Sequence, residues 1–132
     1  MLGVLDLKKT VEFYTSALNF EVTGSFEHDG KLVWAEFSSG QRWLVCDNPI
    51  LMCNQIPPDC VGPDDRRTKK NMIFYYYPSN VVELHKSLRE RGFAVSELRV
   101  TVYGMKEFEI EDPDGYQLWF GEGTDEPPTQ RF

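Results

Sequence analysis

Asn19-Phe20-Glu21-Val22 returns 73 residues later as Gly92-Phe93-Ala94-Val95, and the stretches flanking the two copies match as well. Before the first copy, Leu7, Val11, Tyr14 and Leu18 recur at helical spacing behind Asp6, whose carboxylate suits an N-cap, and Asn19 is placed to end the helix. Before the second copy, Asn80-Val81-Val82-Glu83 reads as a capping box, Leu84 and Leu88 continue the apolar face, and Gly92 stops it. Each copy then leads into strands. In the first half these are expected at Glu21–Phe26, Lys31–Phe37 and Arg42–Cys46, separated by His28-Asp29-Gly30 and Ser38-Ser39-Gly40. In the second half Lys106–Glu111 and Tyr116–Glu122 flank the turn Asp112-Pro113-Asp114-Gly115.

A duplicated unit of one strand, one helix and three strands accounts for the pattern. The expected class is α+β, with two βαβββ repeats over about residues 1–47 and 71–122. Residues 48–70, rich in Pro and charge, read as a linker, and 123–132, with Pro127-Pro128, as a mobile tail. At 132 residues, both repeats are expected to share a single domain.

Composition narrows the function. Hydrophobic residues at 41% and charged residues at 27% suit a folded soluble protein, and no apolar run reaches the roughly 20 residues of a membrane span. No export signal is read at the start, so the cytoplasm is the expected location. A net charge of −7 opposes nucleic-acid binding, which depends on clustered Lys and Arg. Cys46, Cys53 and Cys60 are odd in number and without histidine neighbours, fitting free thiols better than disulfides or zinc.

Two motifs carry a resemblance. Asp6-Leu7, Phe13-Tyr14, Leu18 and Phe20 form one, and Tyr103-Gly104-Met105-Lys106-Glu107-Phe108 followed by Asp112-Pro113-Asp114-Gly115-Tyr116 forms the other. Together with the repeat they resemble the vicinal oxygen chelate superfamily of glyoxalases, bleomycin-resistance proteins and extradiol dioxygenases, in its bleomycin-resistance-like branch. The resemblance covers about residues 2–122. It implies curved mixed sheets forming a cup around a ligand, helices on the outer face, and a homodimer as the expected assembly.

Strand alternation then sorts side chains between helix and cup. Ala35, Phe37, Phe74, Tyr76, Phe108, Ile110, Leu118 and Phe120 are expected under the helices. Trp34, Glu36, Leu44, Ile73, Tyr75, Tyr77, Tyr103, Met105, Glu107, Glu109 and Trp119 are the candidate ligand-binding residues, and Glu36 with Glu107 is the only candidate acid–base pair. The two histidines offer nothing to the cup: His28 falls in a turn, and His85 lies on a helix outside it and is read as a surface residue.

Metal-dependent members of the superfamily hold a divalent ion through side chains from the first and last strands of each half. Carried over, those slots fall on Ile73, Trp119, Leu44 and a position at or just before Met1, none of them a His, Glu or Gln. No metal and no cofactor is therefore expected. The implied function is metal-independent binding of a small molecule, sequestering an aromatic or cationic compound as bleomycin-resistance proteins do. The alternative is a lyase, isomerase or dioxygenase with a metal at an atypical site.

Overall fold

The computed structural model describes residues 1–39, 50–60, 69 and 72–129, which fall into two compact units, Met1–Asp65 and Arg66–Phe132. The first unit runs β1 (Leu2–Val4), α1 (Leu7–Ser16), β2 (Glu21–His28), β3 (Lys31–Ser38) and β4 (Ile50–Gln55). The second runs β5 (Ile73–Tyr76), α2 (Val81–Glu90), β6 (Arg99–Val100), β7 (Met105–Glu111) and β8 (Gln117–Gly123). The sheets have orders β1-β4-β3-β2 and β5-β8-β7-β6, each with one parallel pair and antiparallel neighbours. This is the duplicated βαβββ plan, as the α+β reading expects.

The helices begin and end for the reasons visible in the sequence. Asp6 accepts from the Lys9 N–H and Asn80 from the Glu83 N–H, each satisfying an N-terminal donor left without a helical partner. Asn19 and Gly92 both adopt left-handed backbone, with φ of 56° and 85°, so the repeat offset is preserved in conformation as well as in sequence. A second cap comes from the last strand of each unit. Gln55 Oε1 accepts from the Leu7 N–H at 2.7 Å, and Glu122 Oε2 accepts from the Val81 N–H at 3.0 Å.

Each sheet buries one face beneath its own helix. In the first unit Tyr14 packs on Phe20 and Phe37 at centroid distances of 5.6 Å, above buried Ala35, Cys53, Leu2 and Val4. In the second, Phe108 stacks on Phe120 at 5.3 Å and Phe120 on Tyr76 at 5.4 Å, with Ile110 and Leu118 buried beside them. Fully burying a side chain of this size is worth roughly 1.5–3 kcal/mol, so these rows hold helix to sheet. Register confirms the alternation. Ala35 pairs with Cys53 and Phe37 with Leu51, while Trp34 pairs with Asn54 and Glu36 with Met52 on the opposite face.

Four expectations are corrected. The strand paired with β3 is Ile50–Gln55, inside the stretch read as linker. Pro49, Pro57 and Pro58 bracket this strand, and its apolar run Ile50-Leu51-Met52-Cys53 is what the sheet takes up. Arg42–Cys46 lies outside the described residues. A short strand not read from the sequence, β6, supplies the third strand of the second repeat's run. His85 is buried, its Nε2 2.9 Å from the Ser96 carbonyl oxygen and its ring against Phe108, because it occupies the sheet-facing side of α2. The tail through Thr129 is hydrogen-bonded to the second sheet: the Thr124 N–H donates to Gly104 O and the Thr129 N–H to Val100 O.

Candidate functional site

The open face of the second sheet gathers a charged and aromatic cluster. Register puts Tyr75 beside Trp119 and Trp119 beside Glu109, with Arg99 beside Glu107 and Glu107 beside Gly121. All of these face away from α2, since the alternate residues Phe108, Leu118 and Phe120 face it. Gly121 is required here: a Cβ at that position would lie 1.9 Å from the Tyr75 hydroxyl oxygen. Its absence lets the phenol ring cross the strand and reach Glu107.

Glu107 is the centre of the cluster, with only 1% of its surface exposed. Tyr75 donates its hydroxyl to Oε2 at 2.8 Å, and Tyr103 donates to Oε1 at 2.8 Å. Arg99 donates to the same Oε1 from Nε at 3.2 Å and Nη2 at 3.0 Å. Nη2 also reaches Glu109 at 3.5 Å, and the guanidinium lies 4.8 Å from the Trp119 ring centroid. A buried carboxylate with this many donors is satisfied in the way burial demands. Both of its oxygens accept hydrogen bonds in this arrangement.

The phenols carry the electrostatic signature of the arrangement. Burial, the hydrogen bond to Glu107 and the Glu107 charge all push Tyr75 well above the ordinary tyrosine range. Tyr103 is pushed up by burial first and then by the same carboxylate, against smaller lowering effects from Thr101 and Arg99. Each hydroxyl proton is held by Glu107, so toward the open face the two phenols offer only lone pairs. The open face thus carries aromatic rings, hydroxyl oxygens, the Glu109 carboxylate and the Arg99 guanidinium paired with it.

Of the sequence candidates, Tyr75, Tyr77, Tyr103, Glu107, Glu109 and Trp119 are brought together, Tyr77 through its ring contact with Tyr75 at 5.0 Å. Met105 lies on the same face at the start of β7, opposite Gly123. Ile73 sits further along, beside Gln117, and is exposed. Trp34 and Glu36 belong to the open face of the first sheet, where Thr23 donates to Glu36 at 2.8 Å and the indole lies over Gly24. Leu44 lies outside the described residues. Arg99 was not among the sequence candidates, because a two-residue strand shows no alternation that would place it.

The metal slots do not fit a divalent ion. Ile73 has no donor atom, and the Trp119 indole N–H cannot coordinate. The first-half counterpart of Trp119 also shifts. Glu36 pairs with Met52 as Glu109 pairs with Trp119, so the equivalent residue is Met52, a thioether, in place of Leu44. Among the described residues no three His, Cys, Asp or Glu side chains form a metal-holding group.

The fold has well-determined relatives. TioX from a Micromonospora species is 18% identical with a TM-score of 0.71, covering 92% of this chain and 94% of its own. TnmS3, an antibiotic binding protein from a Streptomyces species, is 19% identical with a TM-score of 0.67 over 93% and 91%. A bleomycin-binding protein complexed with bleomycin is 16% identical with a TM-score of 0.65 over 92% and 93%. No curated protein matches the chain. The family model described as Glyoxalase/Bleomycin resistance protein/Dioxygenase superfamily matches residues 1–120, nearly the whole described length. With the duplicated βαβββ unit and its register on both sheets, that match means the chain belongs to the Glyoxalase/Bleomycin resistance protein/Dioxygenase superfamily.

Proposed function

We propose that the protein captures a small aromatic compound bearing hydrogen-bond donors or positive charge, without transforming it and without a metal. The observation that carries this reading is the proton arrangement around Glu107. Tyr75 and Tyr103 donate their hydroxyl hydrogen bonds to the carboxylate, and Arg99 binds it and caps Trp119, so the phenol oxygens and rings remain as acceptors and aromatic area. Stacking on such a face with donors directed at it suits a flat amine or amidine and disfavours carboxylates and phosphates. Structural relatives whose names record antibiotic or bleomycin binding support the same reading. The protein is further read as a cytoplasmic homodimer; among the described residues no helix is long and apolar enough to cross a membrane.

Calorimetric titration with bleomycin and with simple aromatic cations and anions tests the proposal. Cations should bind and matched anions should not, and Trp119→Ala should weaken binding about tenfold or more, as for a central aromatic contact. Stoichiometric Zn, Ni, Mn or Fe in protein purified without chelator would overturn the metal-free reading and favour the enzyme alternative.

A further inference from the structure

The segment after β8 is bound to the sheet by a set of contacts that converge on one strand. β6 is only two residues long, lies at the sheet edge, and pairs with β7 through Arg99 opposite Glu107 and Val100 opposite Lys106. On its outer edge Val100 gives both of its backbone groups to Thr129. The Val100 N–H donates to Thr129 Oγ1 at 2.9 Å, and Val100 O accepts the Thr129 N–H at 2.9 Å. Two further ties anchor the path to this point, Thr124 N–H to Gly104 O and an ion pair between Lys106 and Glu126. A two-residue edge strand has too few ladder bonds to hold itself against fraying, and covering its open edge supplies what is missing.

We infer that residues 124–129 form a strap, with Thr129 as a positioning residue that fixes Arg99 over Trp119 and against Glu107. Arg99 is the sole residue of β6 that faces the cluster, and its guanidinium position depends on the backbone next to Val100. With the strap in place the Glu107 carboxylate is closed by three partners. Without it Arg99 swings to solvent, and the Trp119 ring face it covered opens. The C-terminal segment thereby sets the shape of a surface it does not itself line. This inference stands on the strap geometry and does not require the ligand proposed above.

Hydrogen exchange of the Arg99 side-chain Nε–H, followed by NMR on the whole protein, tests it without any ligand. Thr129→Pro removes both bonds to Val100 and should speed Arg99 exchange at least tenfold, while the Phe108 and Phe120 amides keep their protection. Thr129→Ser retains both bonds and should stay within about twofold of the parent. Acrylamide quenching of Trp119 in a Trp34→Phe, Trp43→Phe background should rise with the same order of variants. Should Thr129→Pro fail to fold, Thr129→Ala, which removes only the Oγ1 acceptor, is expected to give an intermediate rate. Unchanged Arg99 exchange would overturn the inference, and so would an equal rise at Arg99, Phe108 and Phe120, which would make the strap a source of general stability only.

Discussion

Glu107 accepts hydrogen bonds from both phenols and from the Arg99 guanidinium while almost fully buried, and the energetic consequence falls on the tyrosines. Tyr75 and Tyr103 hold their protons more tightly folded than unfolded, where a tyrosine ionises near pH 10. The stability this contributes is complete below about pH 10 and is lost as pH rises from there through the folded-state values. Ultraviolet titration of the phenolates should accordingly show a late-ionising fraction that Tyr75→Phe and Tyr103→Phe each reduce. Glu107→Gln should move that fraction back toward pH 10, since it deletes the charge and leaves burial alone. A single ionisation step for all tyrosines would contradict the network. The carboxylate and Tyr75 were legible from strand alternation and Tyr103 from the motif it opens, whereas Arg99 was not, because β6 is too short to show a period.

At the scale of elements, both helices are fastened by their own first turn and by a side chain from the unit's last strand. For α2 these are Asn80 and Glu122, accepting from the Glu83 and Val81 N–H groups. Asn80→Ala should cost about 1 kcal/mol in urea unfolding, as N-cap losses do, and Glu122→Ala a similar amount. Glu122→Gln keeps an oxygen acceptor and should cost less. No change in the unfolding midpoint for either Ala variant would mean that water caps the helix equally well.

The Asp6 and Asn80 caps could be read directly because they rest on local spacing, and the same holds for α1, α2, β2, β3, β7 and β8, whereas the Gln55 and Glu122 caps come from far along the chain. What failed was β4. Eleven residues separate Ser38 from Ile50, whereas five separate Glu111 from Gln117, so counting on from the Ser38-Ser39-Gly40 turn stops short of the true strand. The prolines at 49, 57 and 58 suggested a linker by composition, yet they mark where the strand starts and stops. Counting four residues on from the turn glycine, Gly115 to Trp119 and likewise Gly40 to Leu44, holds only while both copies keep equal connections, and the longer connection moves the equivalent residue to Met52.

For the molecule as a whole, each sheet covers one face with a helix and leaves apolar side chains on the other. Phe26 is 59% and Met52 37% exposed on the first sheet, and Ile73 is 50%, Tyr77 49% and Tyr103 61% exposed on the second. The homodimer proposed above would cover these exposed apolar side chains with a second copy of the chain. Each copy carries a net charge of −7, so association brings like charges together while burying apolar surface. Those two terms respond oppositely to salt. Screening weakens the repulsion, while the hydrophobic contribution is undiminished. Light scattering after size exclusion should therefore give a dimer mass that becomes more, not less, resistant to dilution as sodium chloride is raised. Phe26→Glu, placed on the open face opposite Trp34, should shift the equilibrium toward monomer by adding charge where apolar area is buried. A monomer at every salt concentration would refute the dimer, and a dimer that salt dissociates would show that ion pairs, rather than these apolar faces, hold the copies together.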